Sequence, residues 1–406
     1  MIFYPLYRYL LLTLITGTIL FLTNNPLPQN CFSQASDEGY YYKYASLVSD
    51  KGMPAFKDLI NWYASSDEAR LHPAPVRAGY VLLCAFLFKL SHPSVYVLVF
   101  ISTLSFFIFL YVSFYYVRKY FNLDTALLTT LFLVSSPLMM GLSRRALVDS
   151  PVNLLWGLTV WLFLDVLLKP KRFSYICFLM SFFASISFKE ASLILIPFFA
   201  ATALVSRMNG GQVKISQIWG IVVYPLLFIL IFYGWVYGGI DALKTAVMAV
   251  VKTHFSGQFA NSYAVDLCSG PWFRYLLDFL LLTPIVTVLF IGYAGHLCLQ
   301  RKEWDFKRIY LLFYFVYVYA VLNSLAHSKV VRYVVNLEMV MALFAVLMLL
   351  EAFKDMRETA KGGLVLFLAI GIFVYNWFSF VELIYVPSLL DPVSTYFLVF
   401  RHLVPV

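Results

Sequence analysis

Four short stretches hold the residues able to do chemistry. The first, Asp37-Glu38-Gly39-Tyr40-Tyr41, sets two carboxylates side by side. Neighbouring side chains diverge on a helix or a strand, so the two do not make an acid/base couple by themselves. One can act as a general base while the other orients it or binds a cation. The same acids also suit the first turn of a helix capped by Ser36, and the residues leave both readings open. The second stretch, Ser143-Arg144-Arg145-Ala146-Leu147-Val148-Asp149-Ser150-Pro151, offers two guanidinium groups whose planar forks match phosphate. It reads equally as an Arg–Asp pair at a helix start. The third, Phe188-Lys189-Glu190, places a cation and an acid between two apolar runs, either as a site or as a snorkelling interfacial pair. The fourth, His327-Ser328-Lys329-Val330-Val331-Arg332-Tyr333, can grip a phosphate or diphosphate through Lys329 and Arg332, or anchor to lipid headgroups.

The elements that must position these residues are membrane helices. Of 406 residues, 62% are hydrophobic and only 13% charged, against roughly half and about a quarter in soluble domains. Mean hydropathy is +0.80. The fold class expected is therefore an all-α polytopic membrane protein. Apolar runs long enough to span lie at 6–22, 94–117, 121–140, 150–168, 173–188, 190–206, 216–236, 273–299, 309–325, 332–352 and 362–385, about eleven transmembrane helices. The net charge of +9 reflects Lys and Arg in short gaps between these runs, which argues for topology and against nucleic acid as a partner.

Charge asymmetry sets the sidedness. Arg118/Lys119, Lys169/Lys171/Arg172, Arg207/Lys214, Arg301/Lys302/Lys307/Arg308 and Lys354/Arg357/Lys361 fall on one side only if Val76–Leu90 does not cross, as the positive-inside rule requires. That run then lies along the membrane as a juxtamembrane helix. Tyr40–Val48 and Pro54–Tyr63 also read as short amphipathic helices in the same loop. The expected organisation is one membrane domain over 1–406, with outer loops at 24–93 and 237–272. The first run reads as an uncleaved anchor, because Thr23-Asn24-Asn25-Pro26 offers no small-residue cleavage site. All four chemical stretches reach the outer face, together with Asp278, Glu338 and Glu382, whereas the inner halves of the spans carry little charge beyond Asp165 and His296.

Cys31, Cys84, Cys177, Cys268 and Cys298 form no metal-ligating cluster, so a zinc site has no support. Cys31 and Cys268 share the outer side, as two thiols or as a pair. No cofactor is required. A divalent metal would find its ligands where Asp37, Glu38 and Asp149 meet, and the sequence does not demand one.

Taken together, these stretches resemble the GT-C class of integral-membrane glycosyltransferases, in particular the branch with protein O-mannosyltransferases and the lipid A aminoarabinose transferase. The likeness rests on Asp37-Glu38 in the first outer loop, Asp149 after Ser143-Arg144-Arg145, Lys189-Glu190 between two helices, and the Lys-x-x-Arg-Tyr stretch Lys329–Tyr333. It extends from the N-terminus to about residue 350. The resemblance implies a sugar donor on polyprenyl phosphate and an acceptor glycan, lipid or protein. It gives Asp37 the role of base, supported by Glu38 and Asp149. Arg77, Arg144, Arg145, Lys189, Lys329 and Arg332 become candidates for the donor phosphate. Tyr40, His72, Glu190, His254 and Tyr333 become candidate substrate contacts. Two departures stand out: His72-Pro73-Ala74-Pro75-Val76-Arg77 replaces the family's Lys-Pro or Arg-Pro-Pro step, and Asn336-Leu337-Glu338 stands where a Pro usually follows the late Arg-Tyr. A bacterial inner membrane with an outward-facing site is the expected location. A transporter or lipid flippase is the alternative, but it calls for midplane binding groups and an inverted repeat.

Overall fold

The computed structural model describes residues 3–25, 36–66, 69, 72–255, 270–300, 305–324 and 329–385. Every element among them is helical. Among the described residues seven helices are long and apolar enough to cross a membrane, or eight if one bent pair counts as a single span. Each of the eleven expected spans is helical, but not all as one unbroken rod. The run 121–140 is split into Leu123–Val134 and Pro137–Ser143, bent by 64°. Ser136 caps the second piece by accepting the Met139 N–H, and Pro137 occupies its first turn, where a missing N–H costs nothing. The run 273–299 breaks in the same way, into Arg274–Leu282 and Pro284–Leu299. Thr283 leaves the helical region (φ −139°, ψ 60°) because a following proline disfavours it. Arg172–Phe188 is helical but is only 17 residues long.

The chain forms two compact units, interleaved in sequence. One comprises residues 28–102 and 145–266. Its helix Asp37–Lys51 carries both acids in its first turn and stops at Gly52, whose φ of 71° suits only a residue without a Cβ. Ser36 precedes it in extended conformation but does not cap it through its side chain. Ala78–Leu90 has 13 residues, well short of the ~20 needed to span. It buries Tyr80, Val81, Cys84 and Phe88 and exposes Phe86, Lys89 and Leu90. Within this unit Asp37–Lys51 packs on Ala78–Leu90, Ala55–Ser65 on Ile240–Phe255, and Asp149–Leu168 on Arg172–Phe188. Phe163, Phe178, Phe182 and Phe199 interlock beside the last pair.

The other unit comprises residues 1–27, 103–144 and 267–406. Phe3–Asn24 packs on Leu123–Val134, joined by Arg8 donating to Asp124 at 2.9 Å. The almost fully buried Val331–Ala352 packs on Pro284–Leu299 and on Leu123–Val134.

Gly79 marks the tightest crossing in the first unit. A Cβ added there would stand 2.8 Å from the Ser187 Cβ, closer than real Cβ atoms approach, and overpacking of this kind costs about 1–3 kcal/mol. Gly79→Ala should therefore lower the thermal unfolding midpoint in detergent, and adding Ser187→Gly should restore most of the loss. Equal midpoints for wild type and Gly79→Ala would show that the two helices do not meet at this point.

Candidate functional site

The acidic and basic stretches of residues 28–102 and 145–266 converge as ion pairs. Glu38 is completely buried. Its two oxygens accept from Arg145, Nε to Oε1 at 2.8 Å and Nη2 to Oε2 at 2.6 Å. Oε1 also accepts the Ala146 N–H at 3.0 Å. A bidentate guanidinium–carboxylate pair of this geometry is among the strongest polar contacts a protein makes. Asp149, in the first turn of Asp149–Leu168, accepts from the Lys189 Nζ at 2.7 Å, and both are buried. Glu190 accepts from Arg77 through Nε and Nη2, each at 3.4 Å, and Arg77 also donates to the Tyr41 hydroxyl.

Local sequence explains the placement. The segment after Arg145 is pinned at both ends, Ser102 donating to the Leu147 carbonyl and Ser150 to the Ser102 carbonyl. Lys189 sits in extended conformation (φ −154°, ψ 122°) between Arg172–Phe188 and the 3₁₀ turn Glu190–Ile194, so consecutive residues can turn Lys189 to one partner and Glu190 to another. Trp156, Ser185 and Ser192 lock that turn, with Trp156 Nε1 and Ser185 Oγ each donating to Ser192 Oγ at 2.7 Å. Tyr80 lies within the field of the same cluster. Burial pushes its hydroxyl well above the usual tyrosine value, neighbouring Cys84 adds to this, and the Asp149 and Glu38 carboxylates reinforce it.

Asp37 differs from its neighbour. It opens the helix, is half-buried rather than enclosed, and shares that first turn with the locked Glu38. One turn on, Tyr40 stacks against His72 at 3.8 Å between centroids, with Trp62 beyond it at 6.2 Å. Tyr44 donates to the Pro73 carbonyl at 2.9 Å, which holds the His72–Pro75 turn to the helix. Thus the structure joins Glu38 to Arg145, Asp149 to Lys189, Glu190 to Arg77 and Tyr40 to His72. His254 lies in the helix Ile240–Phe255, and its side chain is outside the described residues, as are His327 and the Cys31 and Cys268 pair.

The remaining candidates belong to residues 1–27, 103–144 and 267–406. Arg144 and Arg145, adjacent in sequence, part company here: Arg144 donates to the Asn25 carbonyl at 2.8 Å and lies 4.5 Å over the Tyr385 ring. Lys329 is buried and donates to the carbonyls of Gly270 at 2.6 Å and Pro271 at 3.3 Å. Burial lowers its pKa from the usual lysine value. Arg332 stands 5.5 Å from the Tyr333 ring, on the 3₁₀ turn Val331–Leu337. The sequence reading missed Arg274, which is buried and donates to Asp278 at 3.2 Å; the four-residue spacing in an otherwise apolar run was the available signal. It also missed Tyr41. No group of His, Cys, Asp and Glu able to hold a metal occurs among the described residues; Glu38 and Asp149 already serve Arg145 and Lys189.

Known proteins share this arrangement of helices. Residues 73–237 match the family model of dolichyl-phosphate-mannose-protein mannosyltransferases. ArnT from Cupriavidus metallidurans, in a crystal structure with undecaprenyl phosphate bound, is similar with a TM-score of 0.51 at 15% identity, over 88% of this chain and 61% of that one. The apo oligosaccharyltransferase from Archaeoglobus fulgidus is similar with a TM-score of 0.58 at 11% identity, over 92% of this chain and 55% of that one. The fold is GT-C. No curated protein sequence matches the chain. The chain spans 61% and 55% of the lengths of these two structures. The matched family segment contains Arg77, Arg145, Asp149, Lys189 and Glu190, five of the six residues that form the ion-pair cluster.

The Glu38–Arg145 contact generates a stability prediction. Removing one partner of a buried pair strands the other and costs about 3–5 kcal/mol. Glu38→Ala should therefore lower the unfolding midpoint in detergent strongly. Glu38→Leu combined with Arg145→Met should recover much of the loss, because no charge is then left buried. Additive losses in the double variant would contradict the pairing.

Proposed function

We propose that this GT-C chain transfers a sugar from a polyprenyl-phosphate-linked donor to an acceptor hydroxyl or amine at the outer face of a bacterial inner membrane. The observation that carries the reading is the division of labour in the first turn of Asp37–Lys51. Glu38 is enclosed and committed to Arg145 and Ala146, whereas Asp37 is accessible on a helix start held in place by that commitment. A base needs access to the acceptor and a fixed position, and Asp37 has both. The family match and the GT-C fold support glycosyl transfer as the reaction class. The undecaprenyl phosphate bound to ArnT supports a polyprenyl phosphate as the leaving group.

In the proposed step Asp37 accepts the acceptor's proton and the acceptor atom bonds to the anomeric carbon. The bond from that carbon to the phosphate oxygen breaks, and its electron pair leaves on the polyprenyl phosphate. A single base and direct displacement imply inversion, since retention needs a carboxylate nucleophile. Arg77, Arg145 and Lys189, expected from sequence to touch the phosphate, hold carboxylates instead, so we assign them to positioning. Lys329 and Arg332 take the donor's phosphate in this reading, with Arg144 as a further candidate. Cations placed where negative charge develops lower the barrier.

Binding of undecaprenyl phosphate to the purified protein tests this assignment. Saturable binding is expected, weakened several-fold by Lys329→Ala and by Arg332→Ala. The affinity should also fall as pH rises, because only the protonated amine attracts phosphate. With its pKa lowered by burial, Lys329 should lose its proton before an ordinary lysine would at about 10.4. Lys329→Arg, which stays charged, should abolish that decline. Binding that is absent, or indifferent to both alanine variants, would remove the lipid-phosphate donor from the account.

A further inference from the structure

Glu338 has no place in the proposed reaction, yet it is a carboxylate deep in an apolar bundle. It is 5% exposed and opens the helix Glu338–Ala352 within the most enclosed of the membrane-length helices. An isolated carboxylate there is costly, and ionisable groups inside membrane helices mark functional sites. Its Oε2 accepts from Ser136 Oγ. Its Oε1 has no hydrogen-bond partner among the described residues. Across the same space Asn376, 1% exposed, donates through Nδ2 to Ser135 Oγ at 3.3 Å, and its Oδ1 likewise has no partner among the described residues.

These groups face a small cavity of about 10 Å³ lined by Ser136, Thr283, Glu338 and Asn376 together with the apolar Phe132, Leu133, Val286, Met341 and Ala342. Cavities need roughly 10–15 Å³ to hold a water molecule, so this one sits at the lower limit. It is also the point where the helix Leu123–Val134 breaks. The oxygens in this lining are one carboxylate, one amide oxygen and the two hydroxyls of Ser136 and Thr283. None of the lining side chains is basic.

We propose that this cavity is a binding site for one dehydrated monovalent cation, Na⁺ in preference to larger ions, held by Glu338 Oε1 and Asn376 Oδ1 with the Ser136 and Thr283 hydroxyls. A single carboxylate balances one positive charge, whereas Ca²⁺ takes six to eight oxygen ligands. The volume favours an ion smaller than water. The bound ion would tie four places together: Pro137–Ser143, which leads to Arg144; the junction at Thr283 before Pro284–Leu299; Val331–Leu337, which carries Arg332 and leads into Glu338; and the helix Glu358–Phe380, which carries Asn376. The site does not depend on the glycosyl-transfer reading.

Equilibrium binding of ²²Na⁺ to the full chain in detergent provides the test, alongside thermal unfolding in sodium, potassium and choline chloride at equal ionic strength and pH. We expect one saturable Na⁺ per chain, competed by unlabelled Na⁺ and not by choline. The unfolding midpoint should rise in Na⁺, less so in K⁺. Glu338→Gln, which keeps the side-chain shape and removes the charge, should lose the binding and the Na⁺ effect. Asn376→Ala should weaken the affinity at least several-fold. Absence of saturable Na⁺ binding in the wild type would overturn the proposal and leave a proton or a water as the occupant. Wild-type affinity retained in a folded Glu338→Gln variant would overturn it equally.

Discussion

A charge taken out of water beside a bilayer must be neutralised where it stands, and the pair between Glu38 and Arg145 is where this chain meets that demand most completely. Every oxygen of the carboxylate is used, two guanidinium nitrogens are used, and a backbone N–H closes the set. The pair spans 107 residues of sequence, so it fixes the start of the first-loop helix to the segment that leads into Asp149–Leu168. Asp149 with Lys189, and Glu190 with Arg77, repeat the device a short way along the chain. Three carboxylates and three cations thereby become scaffold.

That constraint shapes the chemistry. A carboxylate saturated by arginine is a poor base, because accepting a proton would forfeit its charge-assisted bonds. The neighbouring Asp37 shares the first turn of the helix with Glu38 and is half-buried rather than enclosed. Adjacent carboxylates that cannot act as a couple on a helix differ here in burial, Glu38 enclosed and Asp37 half-buried, and the proposed reaction gives them different roles. The aromatic stack of Tyr40, His72 and Trp62 borders the same turn.

Much of the fold was legible from composition and charge. Apolar length located the helical runs, and Val76–Leu90, read from the basic gaps as a run that does not cross, is a helix of only 13 residues. The breaks at Ser136-Pro137 and Thr283-Pro284 were carried by local signals, a proline preceded by Ser or Thr, that hydropathy windows average away. The site was legible as a set of residues but not as a set of partners. Arg145 reads as a phosphate ligand by type and is a carboxylate ligand by position, because pairing over long sequence separations is set by helix packing. Arg144 and Arg145 show the limit most clearly: one residue apart, they serve an Asn25 carbonyl and the Glu38 carboxylate.

The central claim is that Asp37 removes the acceptor's proton. The direct test is turnover of a radiolabelled polyprenyl-phosphate sugar by membranes containing wild type or Asp37→Asn, with donor binding measured in parallel. The account predicts a rate lowered by about 10²–10⁴-fold, the contribution of a general base, while donor binding is unchanged. Full turnover by Asp37→Asn would contradict it and return the role of base to another carboxylate.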